Sequence, residues 1–266
     1  MKELSVGILG VGRYSPERRL TNRDLEQMVD TSDEWIVTRT GIRERRIAAP
    51  HEATSDLAYE AAVRALNAAG VAAEDVDLII VATITPDMFF PSTACLVQDR
   101  LGARHAAAFD VSAACSGFIY ALATASGMIA TGLYRNALVI GAECLSRVTD
   151  YSDRNTCILF GDGAGAAVLG PVPEGRGFRS FVLGADGSGG ELLNIPAGGS
   201  RTPPTADTVA RHMHFMKMNG REVFKFAVRV IGTATEEALH KAGLTKEDID
   251  LLVPHQANIR IIQSAL

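Results

Sequence analysis

Cys115 stands in Asp110-Val-Ser-Ala-Ala-Cys-Ser-Gly-Phe118, where a strand-like run gives way to a long apolar segment. The expected junction puts its sulfur at a helix N-terminus, where unpaired N–H groups and the positive end of the macrodipole favour thiolate over thiol. Sites of that kind lower a cysteine pKa to roughly 3.5–7.5 and make a nucleophile near neutrality. A free cysteine is equally a small buried hydrophobe, and local context leaves both readings open. His255 follows Pro254 at the end of an apolar run. Taken alone, such a histidine is more often structural than catalytic. Cys95, Cys144 and Cys157 are scattered, with no Cys-x-x-Cys pair and no Cys/His cluster, so neither a disulfide framework nor a structural zinc site is indicated. Gly7-Ile-Leu-Gly-Val-Gly12 invites a nucleotide-binding reading, but Ser15 and Pro16 stand where the dinucleotide turn needs a third small residue and a helix start. Gly161-Asp-Gly-Ala-Gly165 lacks the Lys-Ser/Thr of a phosphate loop.

The elements that must hold these residues alternate along the chain. Strands are expected at 5–9, 76–83, 106–111, 136–140, 157–160, 164–169, 178–183 and 249–253. Helices are expected at 22–29, 54–69, 93–101 and 221–242, with another starting near Arg260 and running to Leu266. The uncharged segment 118–130 reads as a buried helix. Residues 184–204, rich in Gly and Pro, read as loop. Such alternation favours an α/β sheet protein. A 266-residue chain that is 47% hydrophobic and 21% charged has the composition of an ordinary globular protein, and a net charge of −5 offers no field for nucleic acid or anionic lipid. The N-terminus carries no cleavage pattern and no stretch reaches membrane-spanning length, so a reduced, cytoplasmic setting is expected.

The chain also repeats itself. Residues 65–78 match 238–251 at eight of fourteen positions, at an offset of 173. Each copy reads as a helix, a glycine C-cap, an acidic turn and a strand. Duplicated halves are therefore expected, at 1–171 and 172–266, with the second apparently truncated by roughly 60–75 residues.

With those pieces in place, the sequence resembles β-ketoacyl-[acyl-carrier-protein] synthase III, a condensing-enzyme family of the thiolase superfamily. The resemblance covers essentially the whole chain. It rests on Asp30-Thr-Ser-Asp-Glu-Trp-Ile-Val-Thr-Arg-Thr-Gly-Ile-Arg-Glu-Arg45, the cysteine segment, Phe160-Gly-Asp-Gly-Ala-Gly165 and Val253-Pro-His-Gln-Ala-Asn258. It implies an α/β thiolase-like fold of two duplicated halves in a five-layer αβαβα arrangement, assembled as a homodimer. It also implies an enzyme that condenses a short acyl-CoA primer with malonyl-acyl-carrier protein to start fatty-acid synthesis, with no cofactor. Cys115 then matches the acylated nucleophile, and His255 the residue that binds the malonyl thioester carbonyl during decarboxylation. Trp35 and Arg39 match the pair that sandwiches the CoA adenine, and Arg154 another CoA contact. Thr31, Phe224, Ala257 and Asn258 match the CoA tunnel. Lys225 and Arg260 match a basic patch that meets the carrier protein, and Phe90 an aromatic that limits the partner subunit's acyl pocket. The family's second carbonyl-binding asparagine and an oxyanion glycine would lie beyond Leu266. A thiolase-fold enzyme of secondary metabolism, with another primer or acceptor, is the alternative the same residues leave open.

Overall fold

The computed structural model describes residues 5–265. In chain order the strands are β1 (Val6–Tyr14), β2 (Arg18–Thr21), β3 (Glu44–Ile47), β4 (Leu78–Ala82), β5 (Ala107–Val111), β6 (Ala137–Cys144), β7 (Asp162–Pro171), β8 (Leu193–Asn194) and β9 (Lys217–Met218). The helices are α1 (Asn22–Glu26), α2 (Asp33–Thr40), α3 (Thr54–Ala69), α4 (Thr93–Leu101), α5 (Gly117–Ala130), α6 (Arg154–Cys157), α7 (Ala206–Ala210), α8 (Gly220–Ala242) and α9 (Ile259–Ala265). They fall into two compact units. The first comprises residues up to Arg18, Arg46–Cys144 and Asp162–Leu183; the second comprises Arg19–Arg45, Leu145–Gly161 and the residues from Gly184 onward.

The first unit is built on a mixed sheet ordered β1-β7-β6-β4-β5. β4 runs parallel to both β5 and β6, whereas β7 is antiparallel to β6 and β1. All five residues of β4 are buried. Because side chains alternate across a sheet, Ile79 and Val81 enter one core with Leu57, Ala61 and Ala65 of α3. Leu78 and Ile80 enter the other, with Ala121, Ala125 and Ile129 of α5. The continuous apolar run of β4 is thus explained by helices on both faces.

The glycines of the first strand have a packing role. β1 includes Gly7, Gly10 and Gly12, with a shift in its pairing register between Ile8 and Gly10. A Cβ on Gly12 would lie 2.3 Å from the Ala61 carbonyl oxygen and 2.4 Å from the Ala65 nitrogen. Glycine here lets α3 lie directly on the strand; no phosphate turn is formed. Gly12→Ala is therefore expected to destabilise the protein by about 1–3 kcal/mol, the usual cost of overpacking, read as a lower urea midpoint.

The repeat survives in local detail. Gly70 and Gly243 both adopt left-handed φ, at 66° and 68°. Each closes its helix with the same pair of bonds, Gly70 to Asn67 and Leu66, Gly243 to His240 and Leu239. A single 3-10 turn follows each cap, Ala73–Asp75 and Lys246–Asp248. The copies then part. Residues 78–82 pair on both sides, but 249–253 form no ladder, and Leu251 and Val253 are 77% and 79% exposed. A strand needs a partner for its N–H and C=O groups, and among the described residues none is offered.

Other expectations are corrected as well. The apolar run at 157–160 belongs to a helical turn, not a strand, because Asp153 caps it through Asn155 N at 3.0 Å and buries Cys157 on α6. Residues 178–183 form no strand: the Phe178 and Phe181 rings meet at 5.1 Å, tilted by 44°, and pack against the α5 side of the sheet. Short apolar runs do not distinguish these outcomes. The first strand extends to Tyr14, the first helix stops at Glu26, and the 184–204 stretch contains a 3-10 turn and β8, which pairs with β9. α5 is buried along one face only, since Ile119 is 46% exposed. Residues 1–4 and Leu266, on which the expected N-terminal pattern and the final helix partly fall, lie outside the described residues.

Candidate active site

Cys115 sits just past the C-terminal end of β5, at the carboxyl edge of the parallel strands, where open α/β sheets place their ligands. A 3-10 turn, Ala114–Ser116, links the strand to α5. Ala114 has φ of +44°, a left-handed conformation that an alanine adopts at a cost of order 1–3 kcal/mol and that persists only where surrounding structure enforces it. One such constraint is Gly117: a Cβ there would come 3.1 Å from Ala82 Cβ, so α5 starts tightly against β4. Asp110, in the same segment, serves the scaffold. Its carboxylate accepts from Thr93 N at 2.7 Å and Ala94 N at 2.8 Å, fixing the start of α4.

The Cys115 side chain is exposed by area. Desolvation by the protein around it nonetheless raises the thiol pKa, the nearby charge of Glu143 raises it further, and only a backbone hydrogen bond opposes them. The expected lowering by the helix N-terminus is thus outweighed. Glu143, the last residue but one of β6, accepts from Ile84 N at 2.9 Å, Thr85 N at 3.1 Å and the hydroxyls of Thr83 and Thr85. Burial pushes its carboxyl above the usual range despite those bonds. Replacing it by a neutral isostere removes a charge that opposes the thiolate. In Glu143→Gln the pH profile of Cys115 alkylation is therefore expected to move to lower pH, followed with iodoacetamide and peptide mapping. A profile that stays in place or moves to higher pH contradicts the coupling.

The second unit carries the other candidates. α2 is capped by Ser32, whose Oγ accepts from Trp35 N at 3.1 Å, and ends in a left-handed Gly41 cap. Trp35 and Arg39, four residues apart, share one helix face, and the Arg39 guanidinium carbon lies 4.5 Å from the indole centroid. Arg154, first residue of α6, lies 5.2 Å from the same centroid and donates to the Asp30 carbonyl at 2.8 Å. The structure therefore brings Trp35, Arg39 and Arg154 together around one flat ring. Beside them, the buried Thr31 hydroxyl has no hydrogen-bond partner.

Phe224 is half-buried on α8 and Lys225 exposed, with its ammonium 2.7 Å from Glu222. His255 lies in the irregular segment before α9. Desolvation holds its pKa below the ordinary histidine value of 6.5, so the ring is neutral at pH 7. Ala257 and Asn258 are half-buried, and the Asn258 side chain accepts from Arg260 N at 2.8 Å, which starts α9. Arg260 is exposed. In the first unit, Phe90 and its neighbour Phe89 are 87% and 88% exposed. Among the described residues no three His, Cys, Asp or Glu side chains gather as a metal-binding group, and no helix is long and apolar enough to cross a membrane.

A thiol held at a constrained turn can accept an acyl group, a neutral imidazole can donate to a developing oxyanion, and the Trp35 ring with its two guanidiniums offers a flat cationic surface. The family model for 3-oxoacyl-[acyl-carrier-protein] synthase III matches residues 109–187, and the model of that family's C-terminal region matches residues 239–266. β-Ketoacyl-[acyl-carrier-protein] synthase III of Symbiobacterium thermophilum is 64% identical over 266 residues, covering 100% of this chain and 81% of its own. The crystal structure of the Thermus thermophilus β-ketoacyl-[acyl-carrier-protein] synthase III superposes with a TM-score of 0.89 at 56% identity, covering 97% of this chain and 79% of that one. The priming β-ketosynthase of the R1128 polyketide pathway superposes with a TM-score of 0.91 at 39% identity, covering 99% and 78%.

Proposed function

This chain belongs to the β-ketoacyl-[acyl-carrier-protein] synthase III family, and on that footing we propose that it loads a short acyl group, acetyl first, from acyl-CoA onto Cys115 and condenses it with malonyl-acyl-carrier protein. It has the thiolase-like α/β fold of that family and is an acyltransferase of fatty-acid initiation. The single observation that carries the residue assignment is the constrained turn that holds Cys115 at the carboxyl edge of the sheet. The halves 1–171 and 172–266 each contribute, the first the nucleophile and the CoA contacts Thr31, Trp35, Arg39 and Arg154, the second the histidine with Phe224, Ala257 and Asn258.

The steps are polar throughout. The Cys115 thiolate attacks the primer thioester carbonyl, and CoA leaves as its thiolate. Malonyl-carrier protein then replaces CoA, its bond to the terminal carboxylate breaks, and CO2 departs with the electron pair left on the α-carbon. His255, neutral and donating an N–H to the thioester oxygen, stabilises the resulting enolate. The carbanion attacks the acyl-cysteine, and the tetrahedral intermediate collapses to 3-oxoacyl-carrier protein and free Cys115. No electron transfer occurs, so the reaction calls for neither nicotinamide nor flavin, nor for a metal. Thr31, Trp35, Arg39, Arg154, Phe224, Ala257 and Asn258 hold CoA, with the Trp35 cluster taking the adenine end. Exposed Lys225 and Arg260 meet the acidic carrier protein, and the free thiols fit a reduced cytoplasm. A second copy covers the exposed Phe89 and Phe90 and the half-buried edge strand β5, completing a homodimer.

Acetyl-CoA and malonyl-carrier protein supplied together are expected to yield CO2, CoA and 3-oxobutanoyl-carrier protein in equal amounts. Product without CO2 release, or CoA release without carbon–carbon bond formation, contradicts the assignment. The similarity to a polyketide priming enzyme favours one variation, a different primer. Competition among acyl-CoAs of graded length for Cys115 decides it.

A further inference from the structure

α2, which carries Trp35 and Arg39, and α6, which carries Arg154, are joined by a buried chain of hydrogen bonds. Its centre is Arg45 on β3, 3% exposed, and Asn22 at the start of α1, 1% exposed. Arg45 Nε donates to the Ile158 carbonyl at 2.9 Å, and Nη2 donates to the same oxygen. Arg45 Nη1 donates to Asn22 Oδ1 at 2.5 Å. Asn22 Nδ2 donates in turn to Asp33 Oδ1 at 2.7 Å and to the Ile42 carbonyl at 2.9 Å. Asp33 is the first residue of α2, and Ile158 is the residue that closes α6. The chain thus runs from the beginning of one helix to the end of the other, passing on the way through the segment that caps α2.

Neither acceptor of this guanidinium is charged. Burial lowers the Arg45 pKa to about 10, so the group is still a cation at neutral pH. A buried charge resting on two neutral acceptors adds little to stability that an apolar side chain of equal volume would not supply. What it does supply is geometry: a planar fork fixes the carbonyl on one side and the amide on the other at set distances and angles.

We propose that Arg45 and Asn22 are positioning residues for the nucleotide end of the acyl-CoA, setting the spacing of α2 and α6 so that Arg39 and Arg154 stand correctly against Trp35. This rests on the reading of Trp35, Arg39 and Arg154 as CoA contacts. Neither residue touches the reacting thioester. The arrangement acts on substrate capture and leaves the chemistry at Cys115 alone.

The test compares acetyl-CoA with acetyl-pantetheine, the same thioester without the nucleotide, on the whole protein and its variants Arg45→Lys and Asn22→Ala. Lysine keeps the charge but cannot span both acceptors; Asn22→Ala leaves the arginine in place and serves where Arg45→Lys fails to fold. KM for acetyl-CoA is expected to rise about tenfold with kcat nearly unchanged, while the kinetics with acetyl-pantetheine stay as in the wild type. Quenching by CoA of Trp35, the chain's single tryptophan, weakens in parallel. In an Arg154→Ala background, Arg45→Lys adds no comparable further loss, because its effect runs through Arg154. Equal losses on both thioesters make the relay general scaffolding and overturn the proposal, as does an unchanged KM for acetyl-CoA. A wild-type protein that does not distinguish CoA from pantetheine removes the underlying CoA reading instead, and the proposal with it.

Discussion

Cys115→Ala protein takes up no acyl group from radiolabelled acetyl-CoA, whereas Cys95→Ala protein labels like the wild type. Two of the four thiols, Cys144 and Cys157, are buried and do not compete for a thioester. Cys95, on α4, is exposed, but its sulfur lies against the Ala108 carbonyl of β5 and not in the constrained turn, which makes it the proper control. Removing a covalent nucleophile abolishes turnover rather than slowing it, with losses on the order of 10⁶ where such removals have been made. The raised thiol pKa adds a second expectation. Thiolate is a minor species at neutral pH, so the acylation rate climbs as pH rises and continues to climb above the ordinary thiol value of 9.0. Label on another residue, undiminished label in Cys115→Ala, or a rate that levels off near neutrality each contradicts this picture.

The second large effect belongs to the histidine. His255→Ala protein still acquires the acyl group on Cys115 but releases CO2 from malonyl-carrier protein about 10²–10³-fold more slowly, the usual loss for one donor to a developing oxyanion. The split between half-reactions is the informative part, since a merely destabilised protein loses both. Direction of titration matters too. Desolvation holds the folded-state pKa below 6.5, so the ring stays neutral throughout the physiological range and takes its proton only at lower pH. CO2 release by the wild type is therefore expected to show no histidine inflection near 6.5, with the acid limb displaced downward. Circular dichroism of the variant, unchanged from wild type, accompanies the kinetics. Loss of acylation together with decarboxylation would show that His255 serves the first half-reaction or the scaffold.

How far these sites were legible depended on whether the determining contacts were local. The glycine caps after α3 and α8, the acidic turns behind them and the buried β4 strand follow from residues adjacent in sequence, and the structure reproduces them. So does the position of Cys115 at a strand-to-helix turn, whereas the helix 33–40 that puts Trp35 and Arg39 on one face was not among the expected elements. The cysteine's titration was not legible, because the charge that opposes its ionisation, Glu143, arrives on β6, and desolvation is a property of the packed molecule. Nor was the Arg45 relay, whose members Asn22, Arg45 and Ile158 are scattered along the chain and none of which has an unusual neighbour. Strands fared unevenly for a related reason. An apolar run states that burial is needed but not by which partner, so 157–160 became a helical turn and 178–183 holds a tilted aromatic pair.

The two guanidiniums that flank Trp35 carry a last implication for how a flat guest enters. The indole ring is engaged by the protein's own cations, at 4.5 and 5.2 Å from its centroid. If the ring takes the purine of CoA, as proposed, the base competes with these guanidiniums for the indole, and a displaced arginine is then available to the phosphates that travel with the base. Docking is in this sense an exchange of stacking partners, and a lone adenine, which brings no anion to receive the displaced arginine, should hold poorly where the complete nucleotide holds well.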